Sequence, residues 1–407
     1  MPARTQNSMP ASPVTTLVRE PVTSMCETMT VSDTPSRILV IRFSSMGDIV
    51  LTSPVTRQLA RFCPEAEIDF LTRAEYAPLS RALPGVGDVQ CFEPGTGLVS
   101  LATLLRERRY DLAIDLHGNL RSRLVTMTGI AGRVLRYDKR RFARMAIVRR
   151  RRRSRPVPHT VDRYLEVLDR LDAAAEPGKE VLDRLDAAAA PGLEDTSGLE
   201  GAPGLEGADD AADLRLPQLT VEGVAAAEVE ERLAGAGIGP DVRVLGVAPG
   251  ASHGPKRWPP EQFARVANYM ARSRDMKVLL LGSKADRPIT SEVARAMELP
   301  AVDWTGATDL ALLPAAVRRC ALLVSNDSGP MHVATAVGTP VIGVFGATHP
   351  RLGFAPVGPS DAAVTLDLPC SPCSLHGNRA CRFRTHACMV DLDPLRVIAE
   401  AERRIPS

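Results

Sequence analysis

No stretch of this 407-residue sequence approaches the ~20 consecutive apolar residues that would span a bilayer. Charge imbalance is missing too: 50 Lys and Arg against 48 Asp and Glu leave a formal net charge of +2, which argues against a dedicated nucleic-acid binder. The fingerprint G-x-G-x-x-G is absent from both loops where it would stand, FSSMGD at Phe43–Asp48 and APGASHG at Ala248–Gly254, and this disfavours a Rossmann oxidoreductase. The first 35 residues are rich in Ser, Thr, Pro and Met and hold no continuous hydrophobic segment. They are expected to form a disordered tail, neither signal peptide nor anchor, with Met9, Met25 and Met29 as alternative starts.

At 44% hydrophobic and 24% charged, a chain of this length buries a large core and is expected to form two domains. Buried strands are predicted at Ile38–Arg42, Ile68–Leu71 and Leu112–Leu116, with helices at Ile49–Phe62 and Leu98–Arg109. The scheme repeats with strands at Val242–Ala248, Lys277–Leu281, Leu322–Ser325 and Val341–Phe345. Helices are predicted there at Pro260–Ser273, Ile289–Met297, Leu310–Arg319 and Met331–Ala336. The expected fold class is α/β, two Rossmann-like domains whose parallel sheets face each other across a cleft. Between them VLDRLDAAA occurs at Val167–Ala175 and again at Val181–Ala189, and Gly-Leu-Glu recurs from Gly192, Gly198 and Gly204. The stretch Ala173–Asp213 lacks the apolar content for a core and reads as a flexible or partly helical insertion. The expected division is a tail at 1–35, domains at 36–172 and 214–390 with the insertion 173–213 between them, and a helix at 391–407 packing back on the first domain.

Two segments carry anion-binding chemistry. Val324–Val344 reads as a strand, a polar turn at Ser325–Gly329, a helix and a second strand, so the helix aims its unpaired N–H groups at whatever sits above the turn. Upstream, the strand Val242–Ala248 runs into a loop, Pro249–Pro259, that carries Lys256 and Arg257. Two such loops in one half suggest a diphosphate held between them.

Six blocks then stand in order: ILVIRFSSMGDIVLTS at Ile38–Ser53, DLAIDLHGNLRS at Asp111–Ser122, GVAPGASHGPKRWPPEQF at Gly246–Phe263, LLLGSKAD at Leu279–Asp286, WTGATDL at Trp304–Leu310 and NDSGPMHVA at Asn326–Ala334. In these blocks the sequence resembles glycosyltransferase family 9, the bacterial heptosyltransferases of the lipopolysaccharide inner core. The resemblance implies the GT-B fold and an inverting, metal-independent transfer of heptose from ADP-heptose to a phosphorylated lipid A–core acceptor. It also implies a cytoplasmic enzyme, peripheral on the inner face of the cytoplasmic membrane. The alternatives are another nucleotide sugar on the same scaffold, or a non-catalytic nucleotide-sugar or lipid-binding module; the presence of Asp48 and Lys256 speaks against the module.

Asp48 follows the first strand, where parallel sheets bind ligands, and its carboxylate suits either a helix cap or a proton acceptor. The resemblance favours the acceptor role, because the family's proposed base is the Asp of its S-x-x-G-D block. Ser45 and Gly47 share that block; His117, Asn119 and Arg121 follow another strand end, and all five are expected on the acceptor side. Lys256, in the family's K-x-W-P spacing with Trp258 and Pro259, is expected at the leaving diphosphate. Asp327, Ser328 and Gly329 are expected to hold phosphates, with His332 one helical turn on from Ser328. Asp286 matches an acidic position near the donor's ribose, and Thr305 and Gly306 are expected to line the same pocket.

Arg133–Arg155 holds twelve Lys or Arg against one Asp. Opposite an anionic membrane each basic residue is worth about 1 kcal/mol, so docking is weighed against a merely solvated face. With only Tyr137 and Phe142 as aromatics there, nucleic acid is not the expected partner. Cys370, Cys373, Cys381 and Cys388 have a spacing that suits one structural Zn²⁺ or two disulfides, and a reducing cytosol disfavours the disulfides.

Overall fold

The computed structural model describes residues 34–150, 156–172 and 214–405. The tail reading, the insertion 173–213 and most of the Arg149–Arg153 run lie outside them.

Two all-parallel sheets form the molecule. The first contains β1 (Arg37–Ile41), β2 (Glu67–Arg73), β3 (Asp88–Phe92), β4 (Tyr110–Asp115) and β5 (Ala131–Arg136) in the order β3-β2-β1-β4-β5. The second contains β6 (Val244–Ala248), β7 (Lys277–Leu280), β8 (Val302–Asp303), β9 (Leu322–Asn326), β10 (Val341–Phe345) and β11 (Ala362–Thr365), ordered β11-β10-β9-β6-β7-β8. Ile38 stands opposite both Ile68 and Leu112, and Leu245 opposite Leu322, so continuous apolar runs end up covered on both faces.

In each sheet the order reverses beside the first strand, between β1 and β4 and between β6 and β9. Connections leave in opposite directions there and open a crevice beyond the carboxyl ends of the strands. The loops carrying Asp48, His117, Lys256 and Ser328 all belong to these four strands.

One apolar core runs from Ile38, Val40 and Ile114 of the first sheet through Val161 and Tyr164 to Met331, Val333 and Leu323 of the second. A smaller core, including Leu39, Ile41, Val125 and Leu105, fills the outer face of the first sheet. The helix expected at Ile49–Phe62 is two helices, Met46–Val50 and Ser53–Phe62, the second with Pro54 in its first turn. The terminal helix Pro394–Arg404 does not return to the first domain. It packs on the helix Pro260–Ser273 and on β10 and β11, with Val397, Ile398 and Ala401 in the second domain's core. Among the described residues no helix is long and apolar enough to cross a membrane.

Candidate active site

Asp48 lies in the first turn of the helix Met46–Val50 and reaches back to Ser45, so the capping geometry is present. Ser45 Oγ donates to Asp48 Oδ2 at 2.9 Å and its backbone N–H at 3.3 Å. The same oxygen also meets Arg42 Nη2 at 2.8 Å. Burial by itself would raise this carboxyl's pKa, but the Arg42 guanidinium and the Ser45 donors outweigh it and hold Asp48 at about 2. Arg42 is fixed in turn, donating to Ser44 O and Leu116 O at 2.7 Å each.

His117 stacks on Phe43 with ring centroids 4.8 Å apart, and its Nδ1 is buried with no partner among the described residues. Burial, followed by the charges of Arg42 and Lys139, pushes its pKa down to about 3, so the ring is neutral. Lys139 joins this centre from the loop after β5, lowered by burial and by Arg42. Asn119 is accounted for otherwise: its side chain accepts from Ser122 N at 2.8 Å and caps the helix Leu120–Met127. Arg121 donates to Thr96 O at 2.6 Å and lies over the Phe92 ring, bracing the loop after β3.

Across the cleft the two anion loops are tied together. Asn326 Oδ1 accepts from Trp258 N at 3.0 Å while its Nδ2 donates to Pro249 O at 2.7 Å. Lys256 Nζ meets Asp327 Oδ2 at 2.9 Å, and Thr348 donates to that same oxygen at 2.6 Å. Asp327 therefore holds Lys256 in an ion pair. Ser328 Oγ lies 3.2 Å from Ser325 Oγ.

Gly329 is expected from the motif to admit a ligand, yet a Cβ there would stand 2.4 Å from Met46 Sδ. Gly47 answers it: a Cβ would stand 2.5 Å from His332 Cδ2. The two motif helices thus meet across the domain boundary, each glycine receiving the other helix's side chain. Buried His332 has its pKa lowered by burial, against the opposing pull of Asp327 and Asp48.

Asp286 caps its own turn, accepting from Ser283 N at 2.9 Å and Ser283 Oγ at 2.6 Å, and packs so tightly on Gly250 that a Cβ there would meet it at 2.4 Å. Thr305 is buried with a hydroxyl that has no partner among the described residues, and Gly306, at φ +72°, packs on Lys284. One segment escaped the sequence reading. Gly377 packs on Lys256, where a Cβ would meet Cγ at 2.3 Å, and the pKa of neighbouring His376 is lowered by burial first and then by Arg144. Nothing in its spacing marked this loop as part of the cleft.

The same loop carries Cys370, Cys373 and Cys381, and Cys388 follows in the short helix Ala387–Val390. None of the four is joined in a disulfide among the described residues, and they border one small cavity with Pro255 and Phe383. Burial, then the neighbouring thiols, pushes Cys388 up to about 11. Among the described residues, however, no three His, Cys, Asp or Glu are arranged to hold a metal ion, so the expected Zn²⁺ site is not formed here. Part of the basic segment is engaged within the protein. Arg136 donates to Thr126 Oγ1, Arg140 to Glu166, and buried Arg144 to Leu352 O of the second domain, so these arginines brace the protein itself.

A carboxylate on one lip and a lysine-bearing anion loop on the other, each at the switch point of a parallel sheet, define a two-domain glycosyltransferase of the GT-B type. The chain belongs to glycosyltransferase family 9 (heptosyltransferase), whose model matches residues 98–197 and 205–382. It is 30% identical to a lipooligosaccharide heptosyltransferase 2 of Haemophilus influenzae over 77% of this chain and 84% of that one. It is 27% identical to a lipopolysaccharide heptosyltransferase 2 of Escherichia coli over 89% and 97% respectively. The fold is that of a family 9 glycosyl transferase of Veillonella parvula, with a TM-score of 0.67 at 22% identity covering 91% and 97% of the two chains. It is also that of E. coli ADP-heptose lps heptosyltransferase II, with a TM-score of 0.64 at 23% identity covering 90% and 98%.

Proposed function

We propose that the protein transfers heptose from ADP-heptose to a phosphorylated lipid A–core acceptor, with inversion, at the cytoplasmic face of the inner membrane. Residues 36–172 form the acceptor half and 214–390 the donor half. The observation that carries this reading is Asp48, held on one lip by Arg42 and set, through Gly47 and His332, beside the helix Gly329–Val337 that follows the Asp327 turn paired with Lys256.

In the proposed step an acceptor hydroxyl attacks the anomeric carbon. The new C–O bond forms as the bond to the diphosphate breaks, ADP leaves with the electron pair, and Asp48 takes the hydroxyl proton. Lys256, aimed by Asp327, neutralises the charge that grows on the leaving oxygen. A carboxylate held at about 2 is a weak base in the free enzyme. An acceptor phosphate competing for Arg42 restores its basicity, so the base is armed by the substrate it serves. Cationic Arg42 and Lys139 beside neutral His117 suit such an anionic acceptor.

Asp48→Asn should keep ADP affinity and lower turnover by ~10²-fold or more, read as nucleotide release with ADP-heptose and a defined core acceptor. Turnover within a few-fold of the original removes Asp48 from the chemistry. Other nucleotide sugars in the same assay decide the donor.

A further inference from the structure

The helix Leu120–Met127 is turned the wrong way round for an ordinary surface helix. Its inner face holds Ser122, Val125 and Thr126, while Leu120, Leu124 and Met127 are 74%, 40% and 74% exposed. At i, i+4 and i+7 these three share one outward stripe, with exposed Arg123 between them. Phe142, 93% exposed, opens the helix that follows the neighbouring strand β5, and Arg141 beside it is exposed as well.

The stripe begins at the acceptor side of the cleft. Leu120 comes three residues after His117, and the turn between them lies against the loop after β5, where a Cβ on Gly118 would meet Lys139 Cε at 3.4 Å. We propose that the Leu120–Leu124–Met127 stripe with Arg123, joined by exposed Phe142 and Arg141 at the start of the next helix, docks the protein on an anionic lipid bilayer. The proposal deepens the reading of a lipid-held acceptor and rests on it for its purpose, because a face that begins at the cleft brings the mouth of the cleft to the membrane surface.

Charge and size together select the bilayer over a second copy. A two-fold contact centred on the stripe would bring Arg123 against its own copy, and three side chains on an eight-residue helix fall far below the ~800 Å² per partner of a stable interface. Apolar side chains among arginines match an interface of acyl chains beneath anionic headgroups. Arg141 and Phe142 belong to the basic segment Arg133–Arg155, whose Arg136, Arg140 and Arg144 instead bond within the protein.

The test is flotation of the full chain with vesicles of phosphatidylethanolamine and phosphatidylglycerol, against phosphatidylcholine alone. The original protein should float with the anionic vesicles only. The variant Leu120→Ser/Leu124→Ser/Met127→Ser should lose roughly tenfold or more in binding, with unchanged circular dichroism and ADP affinity. Arg123→Gln/Arg141→Gln should weaken binding and flatten its dependence on salt. Equal flotation of the triple variant, no flotation of the original protein, or a concentration-dependent dimer abolished by the triple variant would each overturn the proposal. Turnover on a delipidated, soluble core acceptor should survive the triple variant. Vesicle binding that depends on the stripe, without any heptose transfer by the original protein, sinks the transferase reading and leaves the docking face standing. Transfer without vesicle binding does the reverse.

Discussion

At the scale of single residues, the site is made of side chains whose partners decide what they can do. Asp48 is a half-buried carboxylate and Asp327 a buried one, and each touches one cation. Asp48 shares an oxygen between Arg42 and Ser45 at the end of the first strand, and in the proposed reaction it takes the acceptor's proton once Arg42 lets go. Asp327 shares an oxygen between Lys256 and Thr348 and is a positioning residue for the lysine. Lys256→Ala should therefore weaken ADP binding by roughly 1–3 kcal/mol, the range of a lost charge-assisted hydrogen bond. Asp327→Asn should weaken it less, because the lysine keeps its charge and loses only its aim. Calorimetric affinities that are unchanged in Lys256→Ala would move the lysine out of the site.

At the scale of elements, the interlock of the helices Met46–Val50 and Gly329–Val337 is the contact that joins the two motifs. An alanine at Gly47 would place its Cβ against the ring of His332, which is buried and has nowhere to go. Overpacking of this kind costs ~1–3 kcal/mol, so Gly47→Ala should lower both the unfolding midpoint and turnover. With the ring removed the conflict disappears. Gly47→Ala/His332→Ala should then be more stable than the sum of the single variants allows, a coupling measurable by a double-mutant cycle. Additive effects would mean that the helices do not meet this way in solution. Element scale also explains which strands the sequence concealed. The interior strands β1, β2, β4, β6, β7, β9 and β10 are all legible as apolar runs, and the four that are not, β3, β5, β8 and β11, are the edges of their sheets. Edge strands are covered on fewer sides, so DVQCF and AGRVLR keep polar residues and lose the continuous run that marks a buried parallel strand.

At the scale of the whole molecule, a single apolar core threads both sheets and the connecting residues Val161 and Tyr164. Both tryptophans, Trp258 and Trp304, belong to the second domain, so their fluorescence reports on that half while far-UV circular dichroism reports on both. A shared core should make the two signals fall together in one denaturant transition. Separate midpoints would show that the halves unfold independently and that the interface is weaker than its burial implies.

The sequence alone determined the number of sheets, the parallel order of their inner strands and the motif loops at the strand ends, because apolar runs and motif spacing are properties of neighbouring residues. Asp48, Lys256 and the turn at Asp327–Gly329 are therefore legible in the order of residues itself. Contacts between segments hundreds of residues apart are not. Only the tertiary structure brought Gly377 onto Lys256, Arg144 onto Leu352 O and Met46 onto Gly329, and only it turned Asn119 from a candidate ligand into a helix cap. The outward stripe at Leu120 was settled at the same level. Its apolar spacing is that of a core helix, and packing alone decided that the stripe faces outward.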